Sequence, residues 1–152
     1  LDWALPMEQI PRYEAPVTLR VVEGYQAAEF SAEALRMFYG SAFQVSPRSD
    51  RMGYRLEGNP VLAPAGERLS EGIAYGAVQV PPDGQPIVLL NDRPTIGGYP
   101  KLGTVLSLDC WKLAQCMPGA TVYFEVIALE TAQTLVEEAM RARDATALKR
   151  GA

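Results

Sequence analysis

The stretch IAYGAVQVPPDGQPIVLL, residues 73–90, decides the fold. Its apolar halves, residues 73–80 and 86–90, predict two strands, and Pro-Pro-Asp-Gly at 81–84 predicts the turn that joins them. Similar β-branched or alternating runs predict further strands at 17–22, 42–45, 52–56, 104–108 and 121–129. This number of short strands favours a closed or nearly closed β-barrel with peripheral helices.

Three helices are predicted around these strands. Ser31 is a suitable N-cap for a short helix over residues 32–39. Residues 109–115 predict one or two helical turns. A C-terminal helix starts at Thr131, because apolar residues recur from there at helical spacing: Ala132, Leu135, Val136, Ala139 and Met140. We expect this stripe to pack on the barrel or on a neighbour.

The composition fits one globular domain. The chain has 152 residues, of which 48% are hydrophobic and 21% are charged. Its net charge is −4, and its 14 Lys and Arg are spread singly among 18 Asp and Glu. Nucleic acid and anionic membranes are therefore not expected partners. Since no apolar run approaches the roughly 18 residues of a membrane span, the sequence predicts a cytoplasmic protein.

The absence of histidine narrows the chemistry further. It excludes a Ser-His-Asp triad, a Cys-His dyad, a histidine base and nearly every catalytic zinc site. Cys110 and Cys116 are the only thiols, and their spacing matches no metal signature. We therefore expect reduced cysteines rather than a disulfide, and no metal site.

The best candidate site from the residues alone is the loop at 91–101. It gathers chemically different side chains and two adjacent glycines between two apolar strands: Asp92, Arg93, Thr95, Gly97, Gly98, Tyr99 and Lys101. Rigid strands that flank a polar, glycine-containing loop often carry binding groups. A structural turn, in which the glycines only satisfy positive φ angles, is equally compatible with this sequence.

A second candidate lies at the start of the predicted strand 52–56. Asp50 and Arg51 cannot both point into the core there, so at least one of them meets solvent, a partner or another charge. A structural ion pair is the simpler interpretation of Arg51. Gln79, near the end of the predicted strand 73–80, lies either in a pocket or on the surface.

Several blocks of the chain, in order, resemble one known family. These blocks are SDRMGYRLEG (49–58), SEG (70–72), GAVQVP (76–81), GQP (84–86), DR (92–93) and GGYPK (97–101). They resemble the allophanate hydrolase subunit 2 family, also called KipA or the 5-oxoprolinase C-subunit. This family includes the matching half of the urea carboxylase carboxyltransferase domain. Pro94 and Ile96 stand where many relatives have Gln and Thr.

The resemblance implies a mainly β fold, a closed antiparallel cyclophilin-like β-barrel at residues 17–130 with a C-terminal helix at 131–152. Residues 1–16, which contain three prolines, would be a linker from a further N-terminal barrel. We predict catalytic roles for Asp92, Arg93 and Lys101. The residues predicted to bind substrate are Arg51, Gln79, Thr95, Gly97, Gly98 and Tyr99.

The resemblance also implies a subunit that acts on small amide or ureido groups together with a KipI-like subunit 1. One activity is ATP-dependent opening of 5-oxoproline, with a LamB/YcsF-type subunit. The other is carboxyl transfer from carboxybiotin to urea, beside a biotin carboxylase. No cofactor is expected to be bound covalently here, because any biotinylated lysine would lie on a separate carrier. The alternative is a KipA-like regulator that sequesters a KipI-like inhibitor of a sensor kinase.

Overall fold

The structure is a computed structural model that describes residue 10, residues 12–66 and residues 68–148. Its strands are β1 (Val17–Glu23), β2 (Phe43–Val45), β3 (Gly53–Glu57), β4 (Glu71–Gly72), β5 (Ala77–Gln79), β6 (Ile87–Leu89), β7 (Ile96–Gly97), β8 (Lys101–Val105) and β9 (Thr121–Val126). Its helices are a 3₁₀ helix (Tyr25–Glu29), α1 (Ala32–Gly40), α2 (Ser107–Leu113) and α3 (Leu129–Leu148). Most of the predicted linker, at 1–9 and 11, and residues 149–152 lie outside the described residues.

Seven strands form the closed barrel that the sequence predicts, in the order β1-β8-β5-β6-β3-β2-β9. Neighbouring strands run antiparallel around the barrel up to β9. The pair β1–β9 closes the barrel in parallel, with Val17 opposite Val122. Alternating directions around a closed ring require an even number of strands, so an odd number forces one parallel pair. The closed barrel is confirmed, with this one departure from antiparallel order.

The two remaining strands lie outside the barrel. β4 and β7 pair antiparallel as a separate two-stranded sheet, here termed the β4–β7 ribbon. Glu71 lies opposite Gly97, and Gly72 lies opposite Ile96. The ribbon therefore brings the residues just before the central hairpin together with the second half of the 91–101 loop.

The prediction of one continuous strand over residues 73–80 is wrong. The chain bends at Gly76, whose φ is +82°, and a Cβ at this position would lie 2.6 Å from Val105 O. The backbone N–H of Gly76 donates to Leu89 O at 2.7 Å. Only after this bend does the chain join the barrel, at Ala77–Gln79.

The barrel interior is filled mainly by aliphatic and phenylalanine side chains. Phe38 of α1 stacks on Phe124 of β9 with ring centroids 4.2 Å apart, and Phe43 of β2 meets Phe124 at 5.7 Å. The Ser31 hydroxyl accepts a hydrogen bond from the backbone N–H of Ala34, at 3.1 Å, which confirms the predicted N-cap. α1 is thus fixed against β9 by its aromatic face.

A second, smaller apolar cluster lies under the ribbon. It consists of Ile73, Ala77, Ile87 and Leu89. Val78 and Val88, which alternate with these residues along β5 and β6, belong to the main core instead. Since successive side chains of a strand point to opposite faces, the second cluster lies on the outer face of the barrel. Ile73 follows directly after β4, so the β4–β7 ribbon covers this outer face.

The last elements differ from the predicted boundaries. β8 ends at Val105, and α2 already begins at Ser107, so the predicted strand over 104–108 is wrong in its second half. The reason is a contact with β1: Leu106 N–H donates to Arg20 O at 2.8 Å, and Asp109 Oδ2 accepts Arg20 N–H at 2.9 Å. Because of these bonds, the chain after Val105 forms a helical turn across β1 and does not continue to pair as a strand.

The C-terminal helix exists as predicted, but it starts at Leu129 rather than Thr131. Its apolar stripe is only partly packed. Ala132 is buried, whereas Leu129 and Met140 are 54% and 50% exposed. Among the described residues, no helix combines the length and apolar character needed to cross a lipid bilayer.

Candidate functional site

Lys101 begins β8 directly beside the β4–β7 ribbon. Its side chain is only 17% exposed. The ammonium group donates to Glu71 Oε2 at 2.9 Å and to Gly72 O at 3.0 Å, so β4 holds it through two acceptors. The backbone N–H of Lys101 donates to Gln26 Oε1 at 2.7 Å. The position of Lys101 is therefore fixed by three separate contacts.

Glu71 is the centre of these contacts. Its carboxylate accepts hydrogen bonds from the Tyr25 hydroxyl and from Lys101 Nζ. These two bonds, in that order, hold the pKa of Glu71 below its ordinary value of 4.5. Glu71 is therefore ionised at neutral pH and is a weak base, which suits it to orient Lys101 and Tyr25 rather than to abstract a proton.

Gln26 connects the remaining groups. Its side chain is 5% exposed, and its Nε2 donates to the Tyr25 hydroxyl at 2.9 Å and approaches both Glu71 carboxylate oxygens at 3.3 Å. Through its Oε1 it also binds the Lys101 backbone. The four side chains form one connected network, here termed the Lys101 cluster: Tyr25, Gln26, Glu71 and Lys101.

A cavity of about 170 Å³ adjoins the Lys101 cluster. Its wall includes Tyr25, Gln26 and Lys101, together with small residues such as Gly72, Ala77 and Gly103. At about 30 Å³ per liquid water molecule, this space holds about six waters. Typical sites for drug-sized ligands are about 300–1,000 Å³, so this half-open cavity has room only for a small molecule. A larger, more open groove at Gln44, Glu57 and Thr121 contains none of the predicted site residues.

Gln79 and Gly97 lie close to each other under the ribbon. The Gln79 side chain is 6% exposed, and its Nε2 is buried without a hydrogen-bond partner among the described residues. A Cβ at Gly97 would lie 2.8 Å from that Nε2 and 2.7 Å from Ile73 Cδ1. A side chain at position 97 would therefore force the ends of the Ile73 and Gln79 side chains to move, so the glycine here reflects close approach rather than a positive φ angle.

Arg93 has structural contacts. Its Nε donates to Ile73 O at 3.0 Å, and its Nη1 donates to Leu90 O at 3.2 Å. Its guanidinium carbon lies 5.9 Å from the centre of the Tyr75 ring, within cation–π distance. These contacts anchor the start of the 91–101 loop, and they use two N–H donors of the guanidinium group.

Arg51 and Asp92 form a surface ion pair, with Arg51 Nε 3.1 Å from Asp92 Oδ2. Their side chains are 84% and 47% exposed. The Asp92 backbone N–H donates to Arg51 O at 3.1 Å, so the two segments also share a main-chain bond. This geometry matches the simpler interpretation of Arg51, and it places Asp92 with Arg51 rather than in the Lys101 cluster.

The other predicted loop residues are exposed around the ribbon. Thr95 is exposed and contributes its carbonyl oxygen to Ile73 N–H at 3.0 Å. Tyr99 is 48% exposed. Gly98 is exposed, and a Cβ there would make only ordinary contacts. Of the nine predicted site residues, the structure thus brings Lys101, Gly97 and Gln79 to the ribbon's inner side and leaves the others at its edge or on the surface.

Sequence reasoning missed Tyr25, Gln26 and Glu71 as site residues. Glu71 lies within a block that carries the family resemblance, whereas Tyr25 lies outside all of these blocks and is 72% exposed. These side chains come from the 3₁₀ helix and from β4, which are separated from Lys101 by up to 76 residues. The local signal that these residues share is a neighbouring glycine, as in Gly24-Tyr25-Gln26 and Glu71-Gly72.

The described part of the chain contains no group of three or more Cys, Asp or Glu side chains arranged to hold a metal ion. Cys110 and Cys116 are free. Burial raises the pKa of Cys110 to about 12, so this thiol is unreactive at neutral pH. The candidate site therefore depends on Lys101, its partners and the adjacent cavity.

The fold and the sequence place this chain in a class of carboxyltransferase domains. The chain is a member of the family described as carboxyltransferase domain, subdomain A and B, which matches residues 2–126. This match covers most of the chain and confirms the family resemblance inferred from the sequence blocks.

Two curated relatives are C-subunits of 5-oxoprolinase. That of Haemophilus influenzae is 40% identical over 126 residues, which cover 80% of this chain and 41% of the relative. That of Escherichia coli is 40% identical over 127 residues, which cover 82% of this chain and 38% of the relative. The chain thus spans about two fifths of the length of these relatives.

A solved structure of related fold is the urea carboxylase of Kluyveromyces lactis. It superposes with a TM-score of 0.71 over 79% of this chain and 12% of that chain, at 24% sequence identity. At this identity the likeness concerns the fold, and it agrees with the closed barrel described above.

Proposed function

We propose that this chain is the barrel of a protein resembling the 5-oxoprolinase C-subunit, and that its complex opens the ring of 5-oxoproline with ATP. The observation that carries the proposal is the small cavity beside the fixed Lys101 ammonium group, in a chain 40% identical to two proteins of that name. A small cyclic amide fits a space of about 170 Å³.

The chemistry of the Lys101 cluster suits an amide substrate. Opening an amide places negative charge on the former carbonyl oxygen, and fixed donors stabilise that charge best. Lys101 is such a donor, because its ammonium group keeps one N–H beyond those donated to Glu71 and Gly72, and ionised Glu71 keeps it oriented. The Tyr25 hydroxyl donates its single hydrogen to Glu71, so it acts through that carboxylate. The chain lacks histidine, so proton transfer would involve Tyr25, Lys101 or a group of the partner.

The partners are part of the proposal. The cavity is bounded by one face of one barrel, which excludes water poorly. A KipI-like subunit 1 and a further N-terminal barrel would supply the opposite wall, and a LamB/YcsF-type subunit would complete the complex. We propose that no cofactor is bound covalently to this chain and that ATP is used by the complex. The free thiols fit a cytoplasmic location.

Carboxyl transfer from carboxybiotin to urea is the second candidate activity. The family description and the fold of Kluyveromyces lactis urea carboxylase favour it. Here a biotin carboxylase would be the partner, with biotin on a separate carrier. Urea is smaller than 5-oxoproline and also presents a carbonyl oxygen that Lys101 could bind.

A KipA-like regulatory role is the third candidate. It is favoured by apolar side chains exposed at the junction of β9 and α3, where Val126 and Leu129 are 51% and 54% exposed. Such a surface fits a protein partner. A regulator that sequesters a KipI-like inhibitor would need this surface but not the cavity beside Lys101.

The test compares two lysines that are both paired with a carboxylate. In the complete protein with its subunit 1 partner, Lys101→Ala should lower ATP-dependent 5-oxoproline hydrolysis at least tenfold, because about 1.4 kcal/mol of lost stabilisation equals a factor of ten. Lys112→Ala, which removes the partner of Asp109 on α2, should retain the activity. The isolated 152 residues should be inactive.

Each other outcome favours a different candidate. Carboxybiotin-dependent carboxylation of urea without 5-oxoproline hydrolysis would select the second activity. If the complete complex performs neither reaction but still binds subunit 1, the regulatory role becomes the better proposal. Full hydrolysis by Lys101→Ala would remove the Lys101 cluster from the site.

A further inference from the structure

Gln79 carries a buried donor that nothing in the described residues satisfies. It ends β5, its side chain is 6% exposed, and its Nε2 has no hydrogen-bond partner there. A buried amide without a partner destabilises the folded state, and native proteins contain few of them. Such a group is therefore a candidate for binding an acceptor that is not part of the chain.

The surroundings of this amide are apolar on one side and backbone on the other. Ile73 and Ile87 belong to the small cluster on the outer face of the barrel, and Ile87 pairs with Gln79 across β5–β6. Above it lies Gly97, where a Cβ would come within 2.8 Å of Nε2. An amide N–H in this setting gains more from a hydrogen bond than it would in water.

The amide is also next to the Lys101 cluster. Gln79 and Lys101 are direct partners in the β5–β8 pairing, so their side chains share a face of the sheet. Ala77, two residues earlier on β5, lines the cavity and also belongs to the outer apolar cluster. The cavity and the Gln79 amide are therefore neighbours on the outer face, and Gly97 of the β4–β7 ribbon covers the amide.

We propose that Gln79 is a substrate-binding residue whose side-chain Nε2 donates a hydrogen bond to the carbonyl or carboxylate oxygen of a small amide substrate. This inference rests on the proposed function and extends it. The ribbon that covers Gln79 is two residues long on each strand and contains Gly72 and Gly97, with Gly98 following directly. The proposal requires β7 to shift while β4 keeps its contacts with Lys101, so that a substrate in the cavity reaches the amide. Gln79 then selects ligands that present an acceptor there.

The test replaces Gln79 by a residue of similar length without a donor. In the complete protein with its subunit 1 partner, Gln79→Met should raise the KM for 5-oxo-L-proline about tenfold and leave kcat within about twofold, as expected for a lost hydrogen bond to bound substrate. The thermal midpoint should stay the same or rise, since an unpaired buried amide has been removed.

Gln85→Met is the matched control. Gln85 Oε1 accepts from Gly58 N–H at 2.8 Å and its Nε2 donates to Gly58 O at 3.2 Å, so this amide is used within the fold. Its loss should lower the midpoint and leave the KM unchanged. The two glutamines thus give opposite patterns of stability and binding.

A second variant, Gln79→Glu, keeps the shape and places an acceptor where the donor was. It should raise the KM more than Gln79→Met does, because a carboxylate faces the substrate oxygen. An unchanged KM in Gln79→Met within an active complex overturns the inference and leaves the proposed function intact. A lowered midpoint in Gln79→Met also overturns it, since the amide would then be satisfied structurally, for instance by a bound water. A wild-type complex that neither turns over nor binds 5-oxo-L-proline or urea removes the proposed function, and the inference with it.

Discussion

Two carboxylates in this barrel are each bound by a basic side chain, and their surroundings differ completely. Asp109 has a side chain with 0% exposure and accepts from Arg20 Nε and Nη2, both at 2.7 Å. It also lies 3.2 Å from Lys112 Nζ. Glu71, in contrast, has a side chain that is 40% exposed, and the Lys101 cluster it holds lines a cavity.

The difference shows what separates a structural ion network from a candidate site. Both carboxylate oxygens of Asp109 face donors of the same chain, and this network fixes α2 to β1. The Lys101 cluster is equally well connected, but one side of it faces an open cavity. Burial acts to raise the pKa of Asp109, whereas the bonds from Arg20 outweigh it and hold this pKa below 3.8. A lowered carboxyl pKa is thus common to both regions, and only the open cavity distinguishes the site.

The largest expected effect is on the buried network. Asp109→Ala leaves the Arg20 guanidinium group and backbone N–H without their partner, and it should lower the free energy of unfolding by about 3–5 kcal/mol. Urea denaturation followed by circular dichroism measures this loss. Asp144→Ala on α3, which removes an exposed carboxylate paired with Arg143, is the control and should have almost no effect. A small loss in Asp109→Ala would show that the Asp109 network contributes little to the stability of the barrel.

Stability should also fall in acid. The folded pKa values of Asp109 and Glu71 lie below their ordinary values of 3.8 and 4.5, so the unfolded chain binds these protons first as the pH decreases. The stabilisation is present above about pH 4.5 and is lost as the pH falls through the folded values. Urea midpoints measured across this range test the sign. Asp109→Asn should flatten the decline, and an equally steep decline in that variant would assign it to other carboxyl groups.

Arg93→Ala should have an intermediate effect. It removes donors from two main-chain carbonyls, of Ile73 and Leu90, and should cost about 1–3 kcal/mol of unfolding free energy. Arg51→Ala breaks only an exposed pair and should stay within about 0.5 kcal/mol of the unmodified chain. Thermal melts of both variants measure the two losses of stability. Equal stability of the two would contradict the structural role of Arg93.

Much of the fold could be predicted from local sequence. The hairpin at 73–90, the capped helix after Ser31 and the C-terminal helix follow from turn residues, capping and periodicity, which act over a few residues. The predicted boundaries are wrong where contacts between distant segments determine the local structure. The chain bends at Gly76, where its backbone bonds to Leu89 and Val105, and residues 106–109 form a helical turn because Leu106 and Asp109 bind Arg20 of β1.

The residues of the candidate site could likewise be predicted only in part. The sequence by itself identified Lys101 and the glycines of the 91–101 loop, because charged and flexible residues between apolar strands are visible locally. It also identified the family through ordered blocks. The partners of Lys101 could not be predicted, since Tyr25, Gln26 and Glu71 reach it only through the closed barrel and the β4–β7 ribbon.

The sequence alone therefore determined that this protein is a β-barrel of a recognisable family without histidine chemistry, because composition, periodicity and motifs are properties of the chain. Tertiary structure alone decided which polar groups are structural and which face a cavity. Arg93 and Lys101 look alike in the sequence, but one donates to main-chain carbonyls while the other lines the cavity. Burial and hydrogen-bond partners depend on segments far apart in sequence, and they are fixed only when the barrel closes.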